Sequence, residues 1–285
     1  MKLKDHKKWL MYSQILITLL VFINSYGILG GELKPDSSGY IDVNQVNLYF
    51  EIYGKGTTLL YLHGGLSSSL DFEKYIPEFS KHYKIIMIDR RGHGRSYDND
   101  EPYSYDSMAE DIQAGLNVLK IDSVDVIGWS DGGVVGYHLA SKFPTRVKKL
   151  IAVGANYLVQ GMTETTIEWI TSQLNLQGLY EHYPEIVTTY RAQNPNPQNF
   201  DQFVEKTRAM WLRDPYIAKE DLLKITIPVM LVAGDRDDIR LTHMQELHAL
   251  IRNSQLCILP DTTHFIFDQY NDTVIIIFLS FLRSA

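Results

Sequence analysis

The chain has 285 residues, 45% hydrophobic, 12% aromatic and 21% charged, with a net charge of −7. These fractions exclude a disordered or collagen-like chain, and no fixed period marks a repeat protein. The acidic balance argues against nucleic acid as a partner, because phosphate binding needs a basic face.

Length alone permits one large domain or two small ones. Residues 1–27 stand apart. Lys2, Lys4, Lys7 and Lys8 against Asp5 give this end a charge of +3, and a mostly apolar run of 14 residues follows from Leu10 to Ile23. That run is short for a membrane span, which needs about 20 residues, and has the size of a signal-peptide core. Ser25 and Gly27 are small residues two apart, as a cleavage site requires. The segment therefore reads as a cleaved signal peptide, with an uncleaved N-terminal anchor or a cytosolic chain as the alternatives. The expected location is outside the cytoplasm, in the periplasm or secreted, or on a membrane through this segment alone.

From Tyr40 the pattern is regular. Ile41 and Val43, then Val46, Leu48, Phe50 and Ile52, alternate with polar residues around a break at Asn44-Gln45, which predicts a hairpin. Residues 58–62 predict a strand ending at His63-Gly64-Gly65, 70–80 a helix, and 84–88 a strand ending at Asp89-Arg90-Arg91-Gly92. Met108, Ile112, Leu116 and Leu119 share one face of a helix over 105–120. A strand over 124–127, a helix over 131–143 stopped by Pro144, and a strand over 147–153 follow. The stretch 157–222 breaks the rhythm. It is rich in aromatic residues, among them Trp169, Tyr180, Tyr183 and Trp211, and reads as a helical insertion covering the strand ends, where such sheets bind ligands. Those four aromatics either line an acyl pocket or pack the insertion onto the sheet. Strand 228–233, helix 241–252, strand 255–259 and a helix over 269–283 close the chain. Apolar strands alternating with helices predict an α/β fold: a mostly parallel sheet with an antiparallel hairpin at its start and an inserted helical cap. The domain is expected over 40–284, with the cap at 157–222 inside it.

Gly128-Trp129-Ser130-Asp131-Gly132-Gly133 has the form G-x-S-x-G where a strand meets a helix. A sharp turn there exposes the serine oxygen near the positive end of the helix. Serine needs a base. Of nine histidines, His6 lies in the leader, and His82, His138, His182, His243 and His248 sit in or beside helical patterns. His63 reads as a structural loop residue, and His93 lies in the run from Asp89 to Ser96. His264, after the last strand, is placed to reach the C-terminal edge of the sheet. An acid must orient that ring. Asp235, Asp237 and Asp238 follow a strand, and two of these three should be solvated or paired with Arg236 or Arg240. The oxyanion needs two backbone N–H donors. Asp131 supplies one and the loop after strand 58–62 the other, with Gly65 preferred and Leu66 next. No H-E-x-x-H, phosphate loop or dinucleotide fingerprint occurs, so neither metal nor cofactor is expected. The lone cysteine, Cys257, excludes an internal disulfide and a thiolate zinc site, and its apolar surroundings read it as a small buried residue.

Three stretches, His63-Gly64-Gly65, Asp89 to Ser96 and Gly128 to Gly132, resemble the α/β-hydrolase superfamily, and the likeness runs over residues 40–284. The elbow is similar to that of valacyclovir-hydrolase-like small esterases. The resemblance implies a Gly-x-x-Asp acid, which selects Asp237, and a triad of Ser130, Asp237 and His264. It implies a serine hydrolase acting on a small-molecule carboxylic ester, lactone or activated amide. A prolyl-aminopeptidase-like peptidase, a C–C bond hydrolase and a non-catalytic ligand-binding homologue are the alternatives. Ser at position 130 disfavours the dehalogenases and epoxide hydrolases, which use Asp.

Overall fold

A computed structural model describes residues 33–269 and 271–284, so the expected leader, residues 1–27, lies outside the described part. Eight strands form one sheet in the order β1-β2-β4-β3-β5-β6-β7-β8. They are β1 (Ser37–Val43), β2 (Val46–Tyr53), β3 (Thr57–Leu62), β4 (Tyr83–Ile88), β5 (Val124–Trp129), β6 (Val147–Val153), β7 (Val229–Gly234) and β8 (Ser254–Leu259). β2 pairs antiparallel with β1 and β4, and all other pairs are parallel. The hairpin turns at Asn44 and Gln45, both with positive φ, the backbone that a two-residue hairpin turn requires.

The described helices are α1 (Ile76–Phe79), α2 (Tyr105–Val118), α3 (Asp131–Lys142), α4 (Glu164–Ser172), α5 (Leu176–His182), α6 (Pro184–Gln193), α7 (Phe200–Arg213), α8 (Lys219–Leu222), α9 (Leu241–Leu250), α10 (Ile266–Gln269) and α11 (Asn271–Arg283). Strand alternation splits the core in two. Leu60 and Leu62 of β3 pack with α2 and α3 on one face of the sheet. Leu59 and Tyr61 pack with Phe72, Phe79 and α11 on the other. Ser104 caps α2 by accepting from the Ser107 N–H at 3.1 Å.

Two expectations need correcting. Residues 70–80 form no single helix: Ser69–Tyr75 is a 3-10 turn, and α1 starts only at Ile76. Pro77 has no N–H to continue an α-helical ladder from the preceding turn. The expected last helix is described over Asn271–Arg283, with Ile266–Gln269 also helical and residue 270 outside the described part. Cys257 is half-buried, because β8 is an edge strand whose faces are only partly covered.

The segment between β6 and β7 carries helices α4 to α8. It is tied to the sheet side by polar contacts. The Asn194 amide donates to the carbonyls of Gly92, Gly94 and Ser96 at 3.3, 3.0 and 3.2 Å. Lys206 pairs with Asp98 at 2.9 Å, and Arg213 donates to Tyr103 O at 2.7 Å.

Candidate active site

The loops after β3, β5, β7 and β8 leave the same edge of the parallel strands, and they bring together Gly65, Leu66, Ser130, Asp131, Asp237 and His264. Ser130 sits between β5 and α3 with φ 52° and ψ −119°, a backbone that an L-residue holds only under restraint. The restraint is visible. Ser130 N–H donates to Val153 O at 2.7 Å, and its carbonyl accepts from Gly133 N–H at 2.9 Å. The turn is so tight that a Cβ on Gly132 would lie 2.0 Å from Leu62 O.

His264 Nε2 lies 3.0 Å from Ser130 Oγ, and its Nδ1 lies 2.8 Å from Asp237 Oδ1. Asp237 is a carboxylate that also accepts from the N–H groups of Gly234 (3.2 Å) and Ile239 (3.1 Å). With an acceptor at Nδ1, that nitrogen carries the ring proton, and Nε2 is left to accept from the Ser130 hydroxyl. The Trp129 indole donates to His264 O at 3.1 Å and holds the loop that carries the ring.

The three carboxylates after β7 separate by environment. Asp237 reaches the histidine. Asp235 is exposed and accepts from Thr262 N–H at 3.0 Å. Asp238 departs from the expectation. It lies against the cavity, accepts from Thr166 Oγ1 at 3.0 Å, and pairs with neither Arg236 nor Arg240. Arg236 pairs instead with Asp261 at 2.5 Å. Burial pushes the Asp238 carboxyl up. Its charge acts in turn on His264. Burial opposes the protonated ring, but Asp237, its hydrogen bond, and then Asp238 and Asp131 outweigh it and hold the ring's pKa at about 9.

A base must be neutral to accept a proton. Below that pKa the ring is an imidazolium, so kcat/KM is expected to fall about tenfold per pH unit toward acid. The midpoint of the fall should stand near 9 rather than at the ordinary histidine value. Asp238→Asn removes a negative charge, favours the neutral ring and moves the midpoint to lower pH. A kcat/KM profile from pH 5 to 10 checks both, and a midpoint that Asp238→Asn leaves in place refutes the coupling.

Gly65 and Leu66 lie beside the elbow. A Cβ on Gly65 would come 2.3 Å from the Trp211 ring and 2.6 Å from Asp131 Oδ2, so only glycine lets this loop close on the elbow. Leu66 has φ 55°. Among the described hydrogen bonds, the N–H groups of Gly65, Leu66 and Asp131 donate to no protein acceptor. The Asp131 side chain points elsewhere: it accepts from Tyr105 Oη at 2.7 Å and from Trp211 Nε1 at 3.0 Å.

Above Ser130 and His264 lies a cavity of about 230 Å3 with mostly apolar walls. Trp169, Tyr183 and Trp211 line it; Tyr180 does not, being exposed and packed on Phe200. Asp71, held up near pKa 7 by burial, also lines the cavity from its 3-10 turn and accepts from Ser67 Oγ. His63 and His93 are buried and make loop contacts, His63 with Arg90 N and Gly64 O, His93 with Arg91 O. Among the described residues, no group of three or more His, Cys, Asp and Glu is gathered to hold a metal ion.

Sequence reasoning missed Trp129, Tyr105 and Arg90 as neighbours of the site, and named Trp211 and Asp238 without fixing the place of either. Trp129 adjoins a residue already singled out, which is a usable signal. Tyr105 and Arg90 become neighbours of the site only through long-range packing.

An eight-stranded, mostly parallel sheet with a serine turn at the C-terminal ends of its strands is the build of an α/β hydrolase. The sequence agrees: the model of the alpha/beta hydrolase fold family matches residues 57–213, more than half of the chain. The protein belongs to that family and is a hydrolase. It is similar to serine hydrolase BPHL of Homo sapiens, 25% identical over 252 residues that cover 83% of each chain. Among solved structures, the meta-cleavage product hydrolase CumD of Pseudomonas fluorescens IP01 has a TM-score of 0.71 at 22% identity, covering 88% of this chain and 98% of its own. An esterase from Exiguobacterium antarcticum has a TM-score of 0.71 at 22% identity, covering 87% of this chain and all of its own. At these identities the two structures speak for the fold.

Proposed function

We propose that the protein cleaves small carboxylic esters, lactones or activated amides through an acyl-enzyme on Ser130. Ser130 Oγ attacks the acyl carbon, and its proton passes to His264 Nε2. Asp237 keeps Nδ1–H oriented and balances the imidazolium. The N–H groups of Gly65 and Asp131, with Leu66 next in line, hold the oxyanion. His264 then protonates the leaving group, and water activated by the same ring releases the acid. The helices of residues 157–222 act as a cap that keeps bulk water from the cavity.

One observation carries this reading. The imidazole has the serine at 3.0 Å on one nitrogen and the carboxylate at 2.8 Å on the other, beneath a mostly apolar cavity of about 230 Å3. That volume suits a short acyl group. The basic and apolar character of residues 1–27 supports export or anchoring as the location of this activity.

The test is chemical. The purified protein should be labelled stoichiometrically by a fluorophosphonate probe and should hydrolyse p-nitrophenyl acetate and butyrate faster than the octanoate. No labelling and no ester turnover between pH 7 and 9.5 would refute the proposal.

A further inference from the structure

The geometry points to Arg90 as a positioning residue for the oxyanion hole, acting through the Gly64–Gly65 peptide. This inference rests on the reading of Ser130 as nucleophile and Gly65 N–H as an oxyanion donor.

Arg90 follows β4 and is almost fully buried, at 1% exposure. A buried guanidinium is charged at every accessible pH and is held only where its environment uses it. Here its surroundings are peculiar. Nη2 donates to the carbonyl of Gly64 at 2.8 Å and lies 3.9 Å from Asp131 Oδ2. Nε and Nη1 have no protein partner. No bidentate carboxylate accounts for the charge, in contrast to Arg91 beside it, which forks onto Asp111 at 2.6 and 2.8 Å. The strong, directed contact of Arg90 is with one backbone oxygen.

That oxygen has a second donor. The Arg90 backbone N–H donates to His63 Nε2 at 3.0 Å, so Nε2 is the unprotonated nitrogen of a neutral ring. Burial, and then the Arg90 charge, keep that ring neutral. The proton therefore sits on Nδ1, which donates to Gly64 O at 2.7 Å. Gly64 O thus accepts from a guanidinium and an imidazole at once.

The consequence follows from peptide geometry. Gly64 C=O and Gly65 N–H belong to one planar trans unit and point in opposite directions. Holding the oxygen fixes the plane of this peptide and with it the direction of the Gly65 N–H on its far side. Two donors on the carbonyl also polarise the amide, which makes its N–H a stronger donor to negative charge. With the guanidinium close to Asp131 as well, one buried cation adjoins both residues whose N–H groups face the oxyanion. This arrangement favours the transition state, where the charge is full, over the ground-state ester.

The test compares wild type, Arg90→Met, Arg90→Gln and Ser130→Ala. Each is read by kcat and KM for p-nitrophenyl acetate, by inhibition with butylboronic acid, and by thermal melting. Arg90→Met should fold, since it removes a buried charge while Asp131 keeps Tyr105 and Trp211. Its kcat should fall about 10- to 100-fold, somewhat less than for loss of a direct oxyanion donor, with KM within about threefold. Boronate affinity should fall in parallel, because the boronate carries the same negative oxygen. Arg90→Gln keeps a neutral N–H donor and should lie between Met and wild type; it also decides the matter if the Met variant fails to fold. Folded variants with kcat and boronate affinity within about twofold of wild type overturn the role of Arg90. A loss carried by KM alone does the same, since that is the mark of a distorted pocket. Full activity in Ser130→Ala instead overturns the reading of the site itself.

Discussion

Ser130→Ala is expected to lower kcat for p-nitrophenyl acetate on the order of a million-fold, as removal of a triad nucleophile does elsewhere. KM should move little, because the cavity walls are untouched. Fluorophosphonate labelling should vanish with turnover. The fold should survive: alanine meets the same backbone restraint as serine at φ 52°, and the bonds that hold the turn are made by backbone atoms. Residual turnover above about one part in a thousand, in protein that melts like wild type, would mean that the chemistry lies elsewhere.

The second large effect is at the acid. Asp237→Ala is expected to cut kcat about 10^4-fold, less than loss of the serine because His264 can still accept a proton from its Nε2 side in one tautomer. The variant should also move the acid limb of the pH profile. The Asp237 charge and hydrogen bond are the largest influences that raise the His264 ring to about 9, so removing them lets burial pull the ring down. The sign is fixed: the limb shifts toward lower pH while the plateau drops. Two N–H groups, of Gly234 and Ile239, lose their acceptor, and a lower melting temperature accompanies the change. Asp235→Ala is the control. Asp235 is exposed and makes no contact with His264, so its loss should leave kcat within about twofold and the pH limb in place. Equal losses in the two variants would contradict the selection of Asp237.

Strand and helix identities were legible because each rests on a local pattern. Leu59 to Leu62 and Ile85 to Ile88 are apolar runs of strand length, and both are buried on the two faces of a parallel sheet. The elbow was legible because Gly128 and Gly132 bracket a serine at a strand end, a spacing that only a tight turn explains. The failure at residues 70–80 is equally local. Apolar spacing there suggested one helix, while the missing N–H of Pro77 divided the segment into two turns.

The sequence by itself determined the order of strands along the chain, the serine turn, and the loops that bear His264 and three candidate acids. Tertiary structure alone decided which acid meets the ring, that Asp238 lies against the cavity, and that Trp211 from the inserted helices grips the residue after the serine. It alone set Arg90 against the Gly64–Gly65 loop. The reason is distance along the chain. Periodicity and turn chemistry report forces between residues a few positions apart. The Trp211–Asp131 and Arg90–Gly64 contacts join residues 80 and 26 positions apart, and only the packing of the sheet edge brings them into register.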